Sequence, residues 1–150
     1  MSETTPQKNT ALCYTYDSDD TQLLERVLPY VSYIETTPDT IARMNEDGQA
    51  RMHPGIIAQL QEVSNTKKIV AHGVGMSIGT YEGISNDYLF LLDELIRQVD
   101  IYWHSEHLGY AVADGEFLNV MLPVNRNKEQ LDMICDRIDF LQEKYKKVVG

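Results

Sequence analysis

An acidic or imidazole side chain closes three of the predicted strands of this chain. Glu35 lies at the end of the second apolar run, His72 at the end of the third and Glu106 at the end of the fourth. In parallel α/β sheets the carboxyl ends of the strands form the site, and side chains from several strands meet there. Imidazole and carboxylate ligands with open positions suit non-haem iron, and also manganese or zinc. We therefore predict these three residues as metal ligands, and the sequence assigns no catalytic residue.

The alternation of side chains along a strand predicts which of these groups share a face. A period of two puts Tyr102, His104 and Glu106 on one face of the fourth strand. If that face and the faces that carry Glu35 and His72 line one pocket, two carboxylates and one or two imidazoles meet at its mouth. His107 has the opposite parity to Glu106, so we predict that it supports the ligands through hydrogen bonds. We also predict His104 and Asp39 as residues that support the ligands.

Structural roles are the alternative for the same residues. His72 precedes a glycine at a change from strand to loop, where a histidine is often simply hydrogen-bonded, and Glu35 could pair with Arg43. The run Gly73-Val74-Gly75 could cradle a phosphate, but one short Gly-x-Gly is weak evidence for a nucleotide site.

Apolar runs that alternate with helical patterns must position these residues. Runs at residues 12–16, 31–36, 69–71 and 101–104 predict four strands. Residues 38–50 show no clear period and predict a long loop, of a length that is usually functional or disordered. Four helices are predicted by their apolar stripes and capping residues. Their predicted starts are Asp17 or Ser18, Pro54, Ser85 and Asn127, and the first helix should end at Pro29.

The order β-α-β-α-β-α-β-loop-α predicts parallel strands joined by crossover helices. A small doubly wound sheet and half of an eight-stranded barrel both fit this order. A full barrel takes about 250 residues, so four βα units in 150 residues fit one half. The predicted fold is α/β, the N-terminal half of a (β/α)8 TIM barrel, with residues 1–10 a disordered tail and 11–150 the domain. A half barrel leaves two edges and an open apolar face, so we expect self-association or a complementary half-barrel chain.

Composition excludes some classes of partner. The chain has 13 basic and 23 acidic residues and a formal charge of −10. Nucleic acids and anionic membranes require clustered cations, so we expect neither as a partner. No apolar run approaches the roughly 18 residues of a membrane span, and the first ten residues lack the apolar stretch of a signal peptide. The two cysteines are far apart, which indicates a reduced, cytoplasmic protein.

Three segments resemble one known family in its order and with similar spacing. Residues 72–79 read His-Gly-Val-Gly-Met-Ser-Ile-Gly, and residues 105–110 read Ser-Glu-His-Leu-Gly-Tyr. They are similar to the His-Gly-Val-Gly-Leu-Ser-Leu-Gly and Ser-(Asp/Glu)-His-Leu-Ala-Trp motifs of the DUF692 family, the multinuclear non-haem iron-dependent oxidative enzymes. The third segment runs from Phe117-Leu118-Asn119 to Leu122-Pro123 and is followed by a helix. The resemblance covers roughly residues 11–145.

The resemblance implies a specific activity. Members of this family are (β/α)8 barrels that hold two or three iron ions, and several use dioxygen to modify cysteines of ribosomally made peptides. They often need a partner protein that presents the peptide. By motif, His72 and Glu106 would be iron ligands and His107 would support them.

This sequence also departs from the family. Many members have a His or Asn shortly after the acid of the second strand, where this chain reads Glu35-Thr36-Thr37-Pro38-Asp39. Glu35 or Asp39 would have to substitute, or one metal position is lost. The sequence stops about where the fifth strand of the family should begin, so the later ligands have no counterpart.

Two classes of function follow. The first is an iron-dependent enzyme that needs its missing half or a partner, and the second is a metal-poor module that binds a peptide or a partner protein. A barrel like those of sugar isomerases or endonucleases, with divalent metals, is a third and weaker alternative.

Overall fold

The computed structural model describes residues 10–45, 48–114 and 116–146, without the side chains of Phe117 and Asn119. Residues 1–9 of the predicted tail, and these two side chains of the third motif, lie outside the described part. The strands are β1 (Cys13–Thr15), β2 (Tyr33–Thr36), β3 (Ala42–Met44), β4 (Ala50–Met52), β5 (Lys68–Gly73), β6 (Ile101–Glu106), β7 (Gly109–Ala113) and β8 (Glu116–Pro123). The helices are α1 (Thr21–Val27), α2 (Pro38–Ile41), α3 (Pro54–Ser64), α4 (Asn86–Gln98) and α5 (Lys128–Tyr145).

Four of the strands form one parallel sheet in the order β1-β2-β5-β6. The chain returns from each strand to the next through helical crossovers, as the alternating pattern predicts. The α/β class and the half-barrel arrangement are thus confirmed: four neighbouring parallel strands are present and the sheet does not close on itself. No described helix has the length and apolar composition to cross a bilayer.

The helix boundaries follow from capping chemistry. Ser85 and Asn127 cap α4 and α5, and each side-chain oxygen accepts from a backbone N–H three residues on. Pro54 occupies the first turn of α3 as predicted. The cap of α1 is Asp20, whose carboxylate accepts from the Leu23 N–H at 2.9 Å, and not Asp17 or Ser18. The carboxylate of Asp17 instead accepts from the backbone of Asp19, so a tight turn precedes the helix.

The helices cover one face of the sheet, here called the covered face. Ile34, Ile69 and Ile101 point into it, are fully buried and pack against apolar side chains of the helices. The other side of the sheet, the open face, carries Tyr102 and Trp103, which remain 49% and 41% exposed. A sheet of this type normally has apolar contacts on both sides, so the open face is an unpartnered surface in the described chain.

Two predicted loops contain strands. The described residues of the range 38–50 belong largely to the short helix α2, to β3 and to the first residue of β4, and β3 and β4 pair antiparallel, so the prediction of a long irregular loop is wrong. The predicted loop after the fourth strand is the antiparallel hairpin β7–β8. Its turn includes Asp114 at φ +53°, a backbone conformation that aspartate tolerates better than most residues. Both hairpins follow the carboxyl ends of sheet strands, so they extend the edge where the candidate site lies.

Candidate functional site

A register irregularity between β5 and β6 decides which side chains share a face. Ile69 pairs with Ile101, but the next residue, Val70, pairs with Trp103. Tyr102 and Trp103 are both exposed, whereas His104 is completely buried. The simple period of two is interrupted at this extra residue. The prediction that Tyr102 lies on the same face as His104 and Glu106 is therefore wrong.

His72 lies at the carboxyl end of the open face. Its Nδ1 is 2.8 Å from Oγ of Ser105, its register partner on β6. The ring of His107 packs against it, with the two ring centroids 4.7 Å apart. Glu35 lies on the same face, in register with Val70 two residues below His72, and accepts a hydrogen bond from the Thr15 hydroxyl at 3.0 Å. Predicted ligands Glu35 and His72 thus share one face, with His107 beside His72.

Glu106 lies on the covered face. Its Oε1 accepts from the Tyr88 hydroxyl at 2.7 Å and lies 2.6 Å from Nε2 of His104. The side chain of Glu106 is 2% exposed and that of His104 is 0% exposed. Because Ser105 bonds His72 while the adjacent Glu106 bonds His104, His72 and Glu106 project to opposite faces of the sheet. The hydrogen bonds of His72 and Glu106 thus lie on separate faces, while the pKa of Asp39 responds to the charges of both residues, and a shared site for these acids and imidazoles stays a prediction.

Two glycines make room for the cluster of Tyr88, His104, Glu106 and Asp39, here called the covered-face cluster. A Cβ on Gly73 would overlap the Tyr88 hydroxyl and the Glu106 carboxylate. A Cβ on Gly75 would stand 2.9 Å from Oδ2 of Asp39, which α2 brings to the same place. The glycines of the motif thus provide space for a tyrosine and two carboxylates.

Burial dominates the electrostatics of this cluster. It raises the pKa of the Tyr88 hydroxyl far above its usual range, and the Glu106 carboxylate adds to the shift. Burial also raises the pKa of Asp39; Glu106 raises it further, while a hydrogen bond from Gly75 and the charge of His72 lower it. Tyr88 is therefore a permanent hydroxyl donor, and Asp39 holds its proton more tightly than a solvated aspartate does.

Buried polar atoms without a hydrogen-bond partner concentrate in the same region. Among the described residues, the buried side-chain atoms that lack a hydrogen-bond partner are Thr36 Oγ1, Asp39 Oδ1, His104 Nδ1 and Glu106 Oε2. Thr36 and His104 flank Ala71 in register on the covered face. Unsatisfied buried polar atoms are uncommon in folded proteins and often mark a functional or hydrated site. Among the described residues, the buried polar atoms without a hydrogen-bond partner therefore lie in this cluster and on the adjacent strands.

Metal binding can be tested against this geometry. Within the described ranges, no group of three or more His, Cys, Asp or Glu side chains is placed to hold a metal ion. His72 is bonded to Ser105 on one face, and Oε1 of Glu106 already accepts two hydrogen bonds on the other. Non-haem iron is typically held by three protein ligands on one side of the ion. The residues of this chain alone do not fit an iron ion.

The loop of the first motif, residues 75–80, is held from two sides. The Ser77 hydroxyl accepts from the Ala111 N–H of β7 at 2.7 Å, and Gly79 N–H donates to the Gly109 carbonyl. From α5, the buried amide of Gln130 donates to the Gly79 carbonyl at 2.8 Å. Arg137 donates to the carbonyl oxygens of Ile78 and Thr80. The first and second motifs and α5 therefore form one connected unit.

Sequence patterns alone do not identify every member of the site. Tyr88 belongs to the apolar stripe of α4, and only its hydroxyl, which needs a partner when buried, distinguishes it from a packing residue. Ser105 lies inside a motif but has no spacing signal of its own. Asp39 was expected to support the ligands and does approach the cluster.

The comparisons with known proteins agree with the motifs. The family described as RiPP precursor modification enzyme MbnB/TglH/ChrH matches residues 16–149. A UPF0276 protein of Vibrio vulnificus is 26% identical over 91 residues, which are 61% of this chain and 31% of that protein. A UPF0276 protein of Rhizorhabdus wittichii is 34% identical over 84 residues, which are 56% of this chain and 30% of that protein. A UPF0276 protein of Anaeromyxobacter is 30% identical over 112 residues, which are 73% of this chain and 38% of that protein.

The matched region thus spans about a third of the length of these curated relatives. The family match, in contrast, covers most of this chain, from Tyr16, directly after β1, to residue 149, and includes all three motifs. RiPPs are peptides that are made on the ribosome and modified afterwards. The chain belongs to the MbnB/TglH/ChrH family of RiPP precursor modification enzymes, as its motifs predicted.

Proposed function

We propose that this chain is the N-terminal half of an enzyme that modifies a cysteine of a ribosomally made peptide in an iron-dependent oxidation. The enzyme becomes complete only when a second half or a partner closes the barrel. One observation carries the proposal: the motif residues His72 and Glu106 lie at the ends of adjacent strands, one register step apart, His72 on the open face and Glu106 on the covered face. Family membership supports a peptide as substrate.

The incomplete ligand set is the reason for requiring completion. Two ligand-type residues on opposite faces cannot enclose an ion, so no reaction step is assigned to a metal within this chain alone. What the chain itself supplies is orientation: Ser105 fixes the imidazole of His72, and Tyr88 and His104 fix the carboxylate of Glu106. Such hydrogen bonds commonly orient metal ligands in proteins.

The partners proposed for this function follow the same logic. A peptide that carries a cysteine is the substrate, and a protein that presents it is a partner. Both described cysteines are free thiols, which suits a reducing compartment, so we place the activity in the cytoplasm. Iron is the proposed metal, with more than one ion in the completed barrel.

A second candidate function is a non-catalytic module that binds a peptide or a partner protein through the half-barrel scaffold. The double hydrogen bond to Oε1 of Glu106 favours it, because these bonds compete with a metal for the same oxygen. In this case the buried cluster would be structural, and the open face would be the binding surface.

Iron retention separates the two candidates. The purified chain is incubated anaerobically with ferrous iron, alone and together with the C-terminal half of the Anaeromyxobacter relative, and bound iron is measured after desalting. We expect iron to be retained in the mixture and to be lost with His72→Ala. His53→Ala is the matched control, because His53 lies at the start of α3, away from the cluster.

Equal iron content in the wild type and in His72→Ala would contradict ligation by His72. Absence of retained iron from every sample, with peptide binding intact, would support the module instead.

A further inference from the structure

We infer that a groove beside α5, here called the α5 groove, binds a positively charged segment of the peptide substrate that carries an apolar side chain. The inference rests on the proposed function, because it names the chemistry by which that peptide is recognised away from its cysteine. The apolar floor of the groove, the carboxylates at its rim and its contact with the loop of the first motif each support it.

The α5 groove lies between α5 and the loop that leads into α4, and its volume is about 460 Å³. Its apolar floor comes from Ile84 of that loop and from Met133 and Phe140 of α5. Phe140 is 44% exposed, and Ile84 and Met133 are partly exposed. Aromatic and methionine side chains are enriched where proteins bind one another. The floor therefore suits an apolar side chain of a ligand.

Three carboxylates stand at the rim of this floor. Glu129, Asp132 and Asp136 are three and four residues apart on α5, so they lie on one side of the helix and repel one another. Asp132 pairs with Lys128, but both side chains are largely exposed and such surface pairs are weak. A cationic ligand relieves the repulsion. The chain has 23 acidic and 13 basic residues, so its overall charge also attracts a cationic segment from a distance.

The guanidinium of Arg137, which also lines the α5 groove, is engaged by the protein itself. Its Nη1 donates to the carbonyl oxygens of Ile78 and Thr80 in the loop of the first motif. This cation therefore holds the loop and leaves the carboxylates to set the preference of the groove. A peptide in the groove contacts the same side chain that supports the loop after His72, so it is bound next to the candidate site.

The position of the α5 groove is independent of what extends the sheet at its free edges, β1 and β6. On the groove side, α5 contacts α4, where Lys144 pairs with Asp93. Leu131 lies nine residues before Phe140, about two and a half helical turns, so it is on the opposite flank of α5. Leu131 is 60% exposed there. An element that joins the sheet beside β6 meets the Leu131 flank, and the groove stays accessible.

Peptide binding to the full chain, measured by fluorescence anisotropy, is the test. The probe is a short fluorescein-labelled peptide in which leucines are flanked by lysines. Two comparison probes replace its lysines by glutamates or its leucines by serines. We expect saturable binding of the first probe, at least about tenfold weaker binding of the other two, and weaker binding at higher salt because the rim is exposed. No binding of the lysine–leucine probe, or equal binding of either comparison probe, would overturn the inference.

A variant of the floor locates the site. Phe140→Ala should weaken binding of the lysine–leucine probe about tenfold, because it removes the aromatic ring from the floor. Leu131→Ala is the matched control on the opposite flank of the same helix and should leave binding unchanged. Circular dichroism should show the same helix content for both variants. Equal effects of the two substitutions on binding would overturn the assignment to this groove.

A variant of the rim tests the charge. Glu129→Gln/Asp136→Asn should weaken binding of the same probe several-fold and reduce its dependence on salt. Glu25→Gln/Glu62→Gln is the control, because it changes the net charge equally at exposed acids of α1 and α3. Equal losses in the two double variants would show attraction by the net charge alone and would refute a role for the rim.

A folded basic protein, cytochrome c, is the competitor that tests the class of occupant. It should not displace the lysine–leucine probe at equal concentration, because a groove of this size takes a peptide segment. Displacement that depends on Phe140 would instead identify the surface of a folded partner as the occupant and overturn the peptide.

The outcome for the α5 groove is separable from that for the proposed function. Iron retention with the C-terminal half of the relative, together with probe binding that the groove variants do not change, would overturn the groove and keep the function. Probe binding that depends on the groove, with no iron retained in any sample, would keep the groove and contradict the iron-dependent function.

Discussion

The buried contact between His104 and Glu106 makes a quantitative prediction about stability. The two side chains are 2.6 Å apart at 0% and 2% exposure, and Tyr88 is the other group bonded to the carboxylate. Removing one partner leaves the other buried polar group without its hydrogen bond, which typically costs about 1–3 kcal/mol. We therefore expect Glu106→Leu and His104→Leu to lower the free energy of unfolding by amounts of that order.

The double variant His104→Leu/Glu106→Leu should cost less than the sum of the two single variants. It removes both polar groups together, and apolar replacement of a complete buried pair is often nearly neutral. Contacting residues show coupling energies of about 0.5–3 kcal/mol, and we expect a value in the upper part of that range.

The assay is urea unfolding followed by far-ultraviolet circular dichroism at one fixed protein concentration, because association would otherwise shift the midpoints. The surface pair Lys128–Asp132 on α5 gives the matched control. Its side chains are 85% and 55% exposed, so its cycle should yield about 0.5 kcal/mol or less. Additivity of the His104 and Glu106 variants within the error of the control would refute the coupling.

Two further changes test the same cluster. Gly73→Ala should lower the free energy of unfolding by about 1–3 kcal/mol, because its Cβ would displace the Tyr88 hydroxyl and the Glu106 carboxylate. Chemical denaturation measures this change. The control is Gly55→Ala in α3, which should be near neutral because the nearest atoms belong to the flexible His53 ring, at 3.2 Å. The pKa of Asp39 is raised above the ordinary 3.8, so the folded state binds this proton more tightly than the unfolded state does. The contribution of Asp39 to the free energy of unfolding therefore falls as the pH rises from the ordinary aspartate pKa to the raised pKa of the folded state. Asp39→Asn should therefore raise the melting temperature at neutral pH and lose this advantage below the ordinary aspartate pKa; a pH-independent difference would contradict the assignment.

Much of the fold could be predicted from the sequence because its signals are local. A proline marks the start of α3 and capping residues mark the starts of α4 and α5. Apolar runs predict the four strands of the parallel sheet. The hairpin β7–β8 was missed although residues 114–115 read Asp-Gly, a strong hairpin signal. The stripe of α5 was only partly informative: Ile134 and Leu141 are buried, whereas Leu131 is 60% exposed.

The site was harder to predict because it depends on a single irregularity. One extra residue at Tyr102 reverses the expected faces, and no local propensity marks a bulge between apolar residues. The sequence offered Glu35, His72, His104, Glu106 and Asp39 as candidates, but their division between two faces depends on register. Tyr88 could not be found in this way, since its role becomes visible only when α4 docks on β6. Whether these residues ligate iron stays a prediction.

The hydrogen bonds from α5 to the loop of the first motif, residues 75–80, affect where this fold can be divided. Gln130 and Arg137 donate to the three carbonyl oxygens of residues 78–80 from a helix that lies 51 to 59 residues further along the chain. A fragment cut after Tyr110, where the second motif ends, would keep the first two sequence motifs and still lose the α5 side chains that hold the loop of the first. Split versions, circular permutants and chimaeras should therefore place their junction beyond Tyr145, where α5 ends.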